Sequence, residues 1–283
     1  MAISAAEVKK LREKTGAGPM ECKRALQETN GDVSAAEKLL KEKGLAAVEK
    51  RAERATNEGK IFVKIKDNKA VLVELASETD FVARNPEFIE LGGIIADKAL
   101  EQDIDAPTEE LSAMVTELAT KIRENMSLKR LKRVVATDNE YLTRYIHGDG
   151  NIGIVLKLAA DKSAAFENAE AEDFAYSLAM HIAAFTPLVL DQTKLDPSFV
   201  KEQEEIFRKQ MDADENLQSK SEQQKQGILK GKLNKYLKSI CMLDQGYIKD
   251  EKITVAQALD AFGKQYDAKI SIAEYVYFKV GQA

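Results

Sequence analysis

The chain has 283 residues, long enough for one large domain or for two or three smaller ones. Charged residues make up 31% of it and the net charge is −5, so its overall field repels nucleic acid and argues against generic nucleic-acid binding. The two cysteines and two histidines lack the CxxC or HxxxH spacing of a zinc site, so we predict no metal and a reducing compartment.

The chain begins with MAISAAEVKKLREK, which carries charges from Glu7 onward and contains no apolar run. This start is unlike a secretory signal. Nowhere do about 18 apolar residues follow one another, the length that a membrane-spanning helix needs. We therefore expect a soluble cytoplasmic protein that does not contact the membrane.

Residues 1–45 predict a three-helix module, similar in helix pattern to ubiquitin-associated domains. Ser4 and Glu7 form a capping-box pattern at the first helix, which the TGAG motif ends. Pro19 begins the second helix, and the apolar spacing of a third helix ends at Gly44. The following residues, 46–58, are rich in alanine and charge, and we interpret them as a linker.

Residues 59–140 predict the first of two core subdomains. Apolar residues alternate on both sides of Asp67-Asn68, a pattern typical of a β-hairpin. Asn85 then caps a helix that has Pro86 at its first position, and a second helix runs from Thr108 to about Asn125.

The same order recurs in residues 141–196, the first part of the second core subdomain. Tyr141 to His147 forms a predicted strand, GDGN a turn and the residues from Ile152 the returning strand, followed by a helix that ends before Pro187. Hairpin followed by helix thus appears twice, roughly 85 residues apart, which indicates two similar subdomains.

The last third of the chain predicts a helical hairpin and then a return to the sheet. Residues 197–241 carry two apolar seams joined by polar residues, typical of an antiparallel coiled coil that projects from the body. Residues 242–283 add a helix from Thr254 to Tyr266 and a terminal strand, KISIAEYVYFKV. The predicted fold class is therefore α+β.

The GDGNIGIV segment is the strongest enzyme-like signal. Gly148, Gly150 and Gly153 fit the GxGxxG pattern of nucleotide-binding loops. No kinase HRD or DFG motif accompanies it, and a strand rather than a helix follows Gly153, which argues against a dinucleotide fold. We favour a glycine-rich hairpin turn over nucleotide binding.

Other candidates have a structural and a functional interpretation. His181 lies on an apolar helix face and Cys22 on the second helix, and we favour core positions for both. The LKRLKR run from Leu128 to Arg133 is interpreted as a solvated face rather than a phosphate site. His147 beside its turn, and Met20 beside TGAGP, are each open as solvated residues or as partner contacts.

The SETDFVARNP stretch places Phe81 and Val82 between a strand end and a helix start. Both side chains can bury themselves as a staple between the hairpin and the following helix. Alternatively they form a protruding apolar wedge, with Asp80 beside it as an acceptor for a partner's donors. The sequence pattern by itself favours the staple.

Four segments together resemble a known family: LREKTGAGPMECKRALQETNGDVSAAEKLL, ETDFVARN, HGDGNIGIV and FKVG. In this order they are similar to elongation factor Ts, the guanine nucleotide exchange factor of bacterial elongation factor Tu. The resemblance implies exchange without covalent chemistry and without a cofactor. It implies elongation factor Tu as partner, with no direct contact to nucleic acid, and leaves self-association open.

The resemblance also assigns roles to particular residues. Asp80 and Phe81 would form a wedge inserted between partner helices near the nucleotide and its magnesium, and Thr79 and Val82 would support it. Further contacts would come from Met20 in the N-terminal module and from His147 in the second subdomain.

Two hypotheses from other classes stay open. An enzyme that uses the glycine-rich turn would itself bind ATP or GTP. An adaptor that binds peptides through its three-helix module would keep its partner after deletion of the TDFV loop.

Overall fold

A computed structural model of the chain describes residues 3–282, apart from the side chain of Glu215. Its α-helices are α1 Ala5–Thr15, α2 Pro19–Glu28, α3 Val33–Arg51, α4 Asp80–Ala83, α5 Pro86–Glu101, α6 Glu109–Ile122, α7 Ala169–Phe185, α8 Pro197–Asp212, α9 Glu215–Gln218, α10 Glu222–Ile240 and α11 Val255–Gln265. Its strands are β1 Glu58–Lys66, β2 Lys69–Ser77, β3 Met126–Val135, β4 Glu140–His147, β5 Ile152–Ala160, β6 Gly246–Tyr247, β7 Asp250–Thr254 and β8 Ile270–Lys279. This mixture confirms the predicted α+β class.

The chain divides into two compact units. The first contains the described residues up to Val135, together with Ile146–Val155 and the described residues from Phe278 onward. The second contains Ala136–Tyr145 and Leu156–Tyr277. The finer division predicted from the sequence, with boundaries near residues 45, 58, 140, 196 and 241, stays a prediction.

Helices α1 to α3 form a small bundle in the first unit, around the fully buried side chains of Leu11, Cys22 and Leu26. The predicted end of the third helix at Gly44 is wrong, because α3 continues to Arg51 and includes the first part of the supposed linker. Gly44 serves packing instead. A Cβ placed there would lie 2.2 Å from Cγ2 of Thr120 on α6, so glycine permits the close approach of α3 and α6.

The first sheet is antiparallel with strand order β1-β2-β3, and α5 and α6 pack on it. Pairing of Lys66 with Lys69 confirms the predicted two-residue turn. The alternation of apolar residues does not identify β3, which holds the LKRLKR run. This run is only partly a solvated face, since Arg130 pairs with Glu74 (2.5 Å) and Arg133 with Asp103 (3.0 Å).

The second sheet has the order β4-β5-β8, so the last strand returns to it as predicted. In the second unit Phe174 of α7 stacks on Phe262 of α11, with ring centroids 4.3 Å apart. His181 is fully buried and bonds Gln245, which confirms the predicted core position. The short β6–β7 pair was not predicted.

Helices α8 and α10, both in the second unit, form the predicted helical hairpin. Val200, near the beginning of α8, packs against the apolar cluster that contains Leu237, near the end of α10, so the two helices run antiparallel. Farther along, the rings of Phe207 and Tyr236 meet edge to face at 5.6 Å. The projection of this hairpin from the body stays a prediction.

A candidate partner-binding site around the TDFV segment

The TDFV segment forms a single helical turn, α4, directly after β2. Thr79 caps it, since its side chain accepts a hydrogen bond from the Val82 amide (3.4 Å). The Thr79 hydroxyl donates to Oε2 of Glu124 (2.9 Å), and the Ser77 hydroxyl donates to the Thr79 carbonyl oxygen (2.9 Å). The segment is therefore a fixed turn rather than a free loop.

Phe81 and Val82 face in different directions. Val82 and Ala83 belong to the core cluster that also contains Phe88, and Val82 is only 5% exposed. Phe81 is 80% exposed. Successive helical side chains point about 100° apart, so the burial of Val82 and Ala83 turns Phe81 outward. The staple interpretation holds for Val82 and is wrong for Phe81.

A Phe side chain that stays in water, as Phe81 does, is energetically unusual. Burying a Phe side chain contributes roughly 1.5–3 kcal/mol relative to leaving it in water. Core contacts of Val82 and the bonds of Thr79 prevent the turn from rotating to bury the ring. Asp80 next to it pairs with Arg84 at 3.3 Å, but both side chains are exposed. A surface pair of this kind is weak, so Asp80 can exchange Arg84 for a partner's donor.

Met20 is also exposed, at 62%. Pro19 occupies the first position of α2 and Met20 the second, while Cys22 and Leu26 point into the bundle. The helix thus buries one face and presents Met20 on another. Its accessibility suits a partner contact, and that role stays a prediction.

His147 is exposed at the end of β4, within the first unit. In the adjacent turn Asp149 pairs with Lys60 of β1 at 2.7 Å. The hydrogen bond from Lys60 and its positive charge lower the pKa of Asp149. The turn beside His147 is therefore fixed to the first sheet, although a contact role for His147 itself stays a prediction.

The glycines of the GxGxxG pattern are explained by packing and backbone conformation. Gly150 has φ +89°, and its carbonyl oxygen accepts a hydrogen bond from the Ile61 amide (2.7 Å). A Cβ on Gly153 would come 2.4 Å from Cγ2 of Ile61 and 2.8 Å from Cγ2 of Val63. The turn packs against β1, which supports the hairpin-turn interpretation over a phosphate cradle.

The sequence did not point to the residues that hold α4. Glu124 bonds the cap residue Thr79, and Asn125 bonds Glu78, which directly precedes it, but in the sequence these three appear only as polar residues at the ends of elements. Nothing in their spacing marks them, because their contacts join positions 45 to 47 residues apart.

Within residues 3–282, no cluster of three or more His, Cys, Asp or Glu side chains could hold a metal ion. None of the helices within these residues has the length and apolar composition needed to span a membrane.

Comparison with known proteins identifies one family. Its model, described as Elongation factor TS, matches residues 78–282, well over half of the chain. A protein named Elongation factor Ts from Treponema denticola is 48% identical over 281 residues, covering 99% of each chain. Relatives of the same name from Treponema pallidum and Borrelia hermsii are 40% and 38% identical, again over 99% of this chain. This chain belongs to the elongation factor Ts family.

Proposed function

We propose that this protein is a guanine nucleotide exchange factor that binds elongation factor Tu in the cytoplasm and accelerates release of its GDP. Membership of the elongation factor Ts family supports the activity and the partner. The observation that carries the proposal is Phe81, which is 80% exposed on a helical turn fixed by its neighbours.

The exchange wedge consists of Thr79, Asp80, Phe81 and Val82. Phe81 inserts between helices of the partner near its nucleotide, and Asp80 accepts hydrogen bonds from groups displaced by the ring. Thr79 and Val82 hold the turn, since one caps it and the other is buried beneath it. Such rigidity limits the entropy lost when the ring is inserted.

Displacement of partner helices disturbs the phosphate and magnesium contacts of the bound nucleotide. The nucleotide then leaves faster, and by linkage it weakens binding of the exchange factor by the same factor. Covalent bonds do not change, so the activity needs no nucleophile or acid–base pair. GTP binding to the emptied partner then releases the factor.

Met20 and His147 supply contacts away from the wedge. Met20, on the N-terminal bundle, fits an apolar contact with the nucleotide-binding domain of the partner. His147, exposed beside a fixed turn, fits a polar contact with another partner domain. These contacts add affinity whichever nucleotide the partner holds, whereas the effect of the wedge on affinity depends on the bound nucleotide.

The direct test measures release of fluorescent GDP from elongation factor Tu, with unlabelled nucleotide in excess. The parent should accelerate release, and Phe81→Ala should lower the rate roughly tenfold or more, as removal of a central aromatic contact does. Ile94→Ala is the matched control, because Ile94 is also an exposed apolar residue of the first unit. It should act like the parent.

The two other hypotheses predict different results, in this assay and in direct binding measurements. If the parent leaves the release rate unchanged, the proposed activity is wrong. If the isolated protein binds GTP or ATP, the glycine-rich turn has a role that its packing does not explain. If the parent leaves the release rate unchanged and partner binding survives deletion of TDFV, the adaptor hypothesis replaces the exchange function.

A further inference from the structure

The connection between α6 and β3, residues 123–125, contacts several elements of the first unit. Arg123 ends α6 with φ +69°, a left-handed conformation that non-glycine residues rarely adopt. This conformation turns the chain sharply, so three consecutive side chains reach different neighbours. Asn125 is largely buried, as expected of a residue with a structural role.

One side of this junction holds the candidate wedge. The Glu124 carboxylate accepts a hydrogen bond from the Thr79 hydroxyl (2.9 Å) at the cap of α4. The Asn125 amide donates to Oε1 of Glu78 (2.6 Å), the residue just before Thr79. Hydrogen bonds to charged acceptors are stronger than neutral ones, so both bonds restrain the start of α4.

The other side holds the helix that carries Met20. The Arg123 guanidinium pairs with Glu21, the next residue after Met20. Glu21 also accepts from the Gly18 amide (3.0 Å) and so caps its own helix. The Gly18 amide, and after it the Arg123 guanidinium, lower the pKa of Glu21, so the carboxylate stays charged at neutral pH.

The end of α3 is tied to the same three residues. The Arg51 guanidinium donates to the Arg123 carbonyl oxygen (2.7 Å), and the Asn125 side-chain amide donates to the carbonyl oxygens of Arg54 (2.7 Å) and Ala52 (3.2 Å). The three-helix bundle is therefore fastened to the residues that hold α4. The close packing of α3 on α6 also joins the bundle to the first unit, and residues 123–125 add a hydrogen-bonded connection to α4.

We propose that residues 123–125 form a positioning junction that sets the two partner contacts, Phe81 and Met20, in fixed orientation to each other. This inference rests on the proposed exchange function. Glu124 positions the wedge through Thr79, and Arg123 positions the Met20 helix through Glu21. None of the three needs to touch the partner, because each acts through another residue.

Loosening the two sides of the junction has different kinetic consequences. Phe81 acts where the partner's nucleotide site is distorted, so a loosened wedge lowers the maximal rate of GDP release. Met20 contributes similarly in all nucleotide states, so a loosened α2 raises the half-saturating concentration and leaves the maximal rate unchanged. A smaller folded fraction would raise only the apparent half-saturating concentration, so a lowered maximal rate identifies the wedge side directly, whereas the Met20 side requires the folded fraction to be measured as well.

The test measures GDP release as a function of exchange-factor concentration. Glu124→Ala should lower the maximal rate roughly tenfold or more, as expected for loss of a hydrogen bond to a charged group, with the half-saturating concentration within about twofold of the parent. Glu124→Gln keeps an oxygen acceptor for Thr79 and should recover most of the rate. Glu117→Ala is the matched control, since it removes an exposed carboxylate from α6, the helix that precedes the junction.

The Met20 side of the junction is tested with Arg123→Asn, because Asn tolerates the left-handed conformation but is too short to reach Glu21. It should raise the half-saturating concentration several-fold at an unchanged maximal rate. Thermal unfolding of each variant verifies that the comparison is made between folded proteins.

The proposed role of the junction is wrong if the parent and Phe81→Ala behave as proposed while Glu124→Ala releases GDP at the same maximal rate as Glu117→Ala. It is equally overturned if Glu124→Gln is as slow as Glu124→Ala, because the acceptor would then be irrelevant. A parent protein that does not accelerate GDP release would remove the proposed function, and the junction with it, so the two failures are distinguishable.

Discussion

At the scale of single residues, His181 shows how burial fixes a protonation state. The Gln245 side-chain amide donates to the Ser239 carbonyl oxygen (2.7 Å), which turns its own oxygen toward Nε2 of His181 (2.9 Å). Nε2 therefore carries the hydrogen, and Nδ1 has no hydrogen-bond partner among the described residues. Burial lowers the pKa of His181, and the bond to Gln245 only partly opposes this.

The lowered pKa of His181 predicts a loss of stability in mild acid. The unfolded chain takes up the proton near pH 6.5, whereas the folded protein takes it up only at lower pH. The stabilisation is thus complete above about pH 6.5 and decreases below it, by at most about 1.4 kcal/mol per pH unit. Urea unfolding of the parent and of His181→Gln at pH 7, 6 and 5 should show a smaller pH dependence in the variant. Equal slopes would contradict the assignment.

At the scale of elements, caps and apolar periods predicted most helices and both hairpins. Thr108 and Thr254 cap α6 and α11 as their sequence positions suggest. The errors arise where tertiary contacts override local signals. Gly44 looks like a helix end but accommodates Thr120, and β3 is rich in charges because Arg130 has a buried partner. The exposure of Phe81 likewise depends on what Val82 contacts, which the sequence does not contain.

Gly153 gives a test of the packing explanation for the glycine-rich turn. Gly153→Ala places a Cβ 2.4 Å from Cγ2 of Ile61, so the packed side chains of β1 or the strand itself must shift, and the free energy of unfolding should fall by roughly 1–3 kcal/mol. Gly93→Ala is the control, because its Cβ would meet nothing within 4 Å and alanine favours the interior of α5. That variant should be unchanged or more stable. Denaturant titration of both variants measures the free energy of unfolding. An unchanged value for Gly153→Ala would refute the packing explanation.

At the scale of the whole molecule, the first unit is assembled from three separate parts of the chain. Its returning segments are joined to each other, since the Val280 amide donates to the Asn151 carbonyl oxygen (2.9 Å). The last segment is also joined to the first sheet. The Glu74 carboxylate, only 3% exposed, accepts from the Gly281 amide (3.1 Å). Contacts over such sequence separations cannot be inferred from local periodicity, although they give the FKVG motif a structural reason.

Arg130 completes this attachment and provides its test. It pairs with Glu74, donates to the Lys279 carbonyl oxygen (2.9 Å) and lies over the Phe278 ring at 4.2 Å from the centroid. Arg130→Met leaves the buried carboxylate without its cation and should destabilise the protein by about 3 kcal/mol. Lys132→Met, an exposed cation of the same strand, should change stability little.

The double variant Arg130→Met with Glu74→Leu separates the charge from the packing. Replacement of both charged partners by apolar groups removes the uncompensated carboxylate, so the double variant should be more stable than Arg130→Met alone. Urea unfolding measures the free energies, and hydrogen exchange at the Gly281 amide reports whether the last segment stays attached. Because Glu74 also accepts from Gly281, exchange there should remain fast in the double variant even where stability recovers. Slow exchange in that variant would show that Phe278 and Val280, rather than the buried carboxylate, hold the C-terminal segment in place.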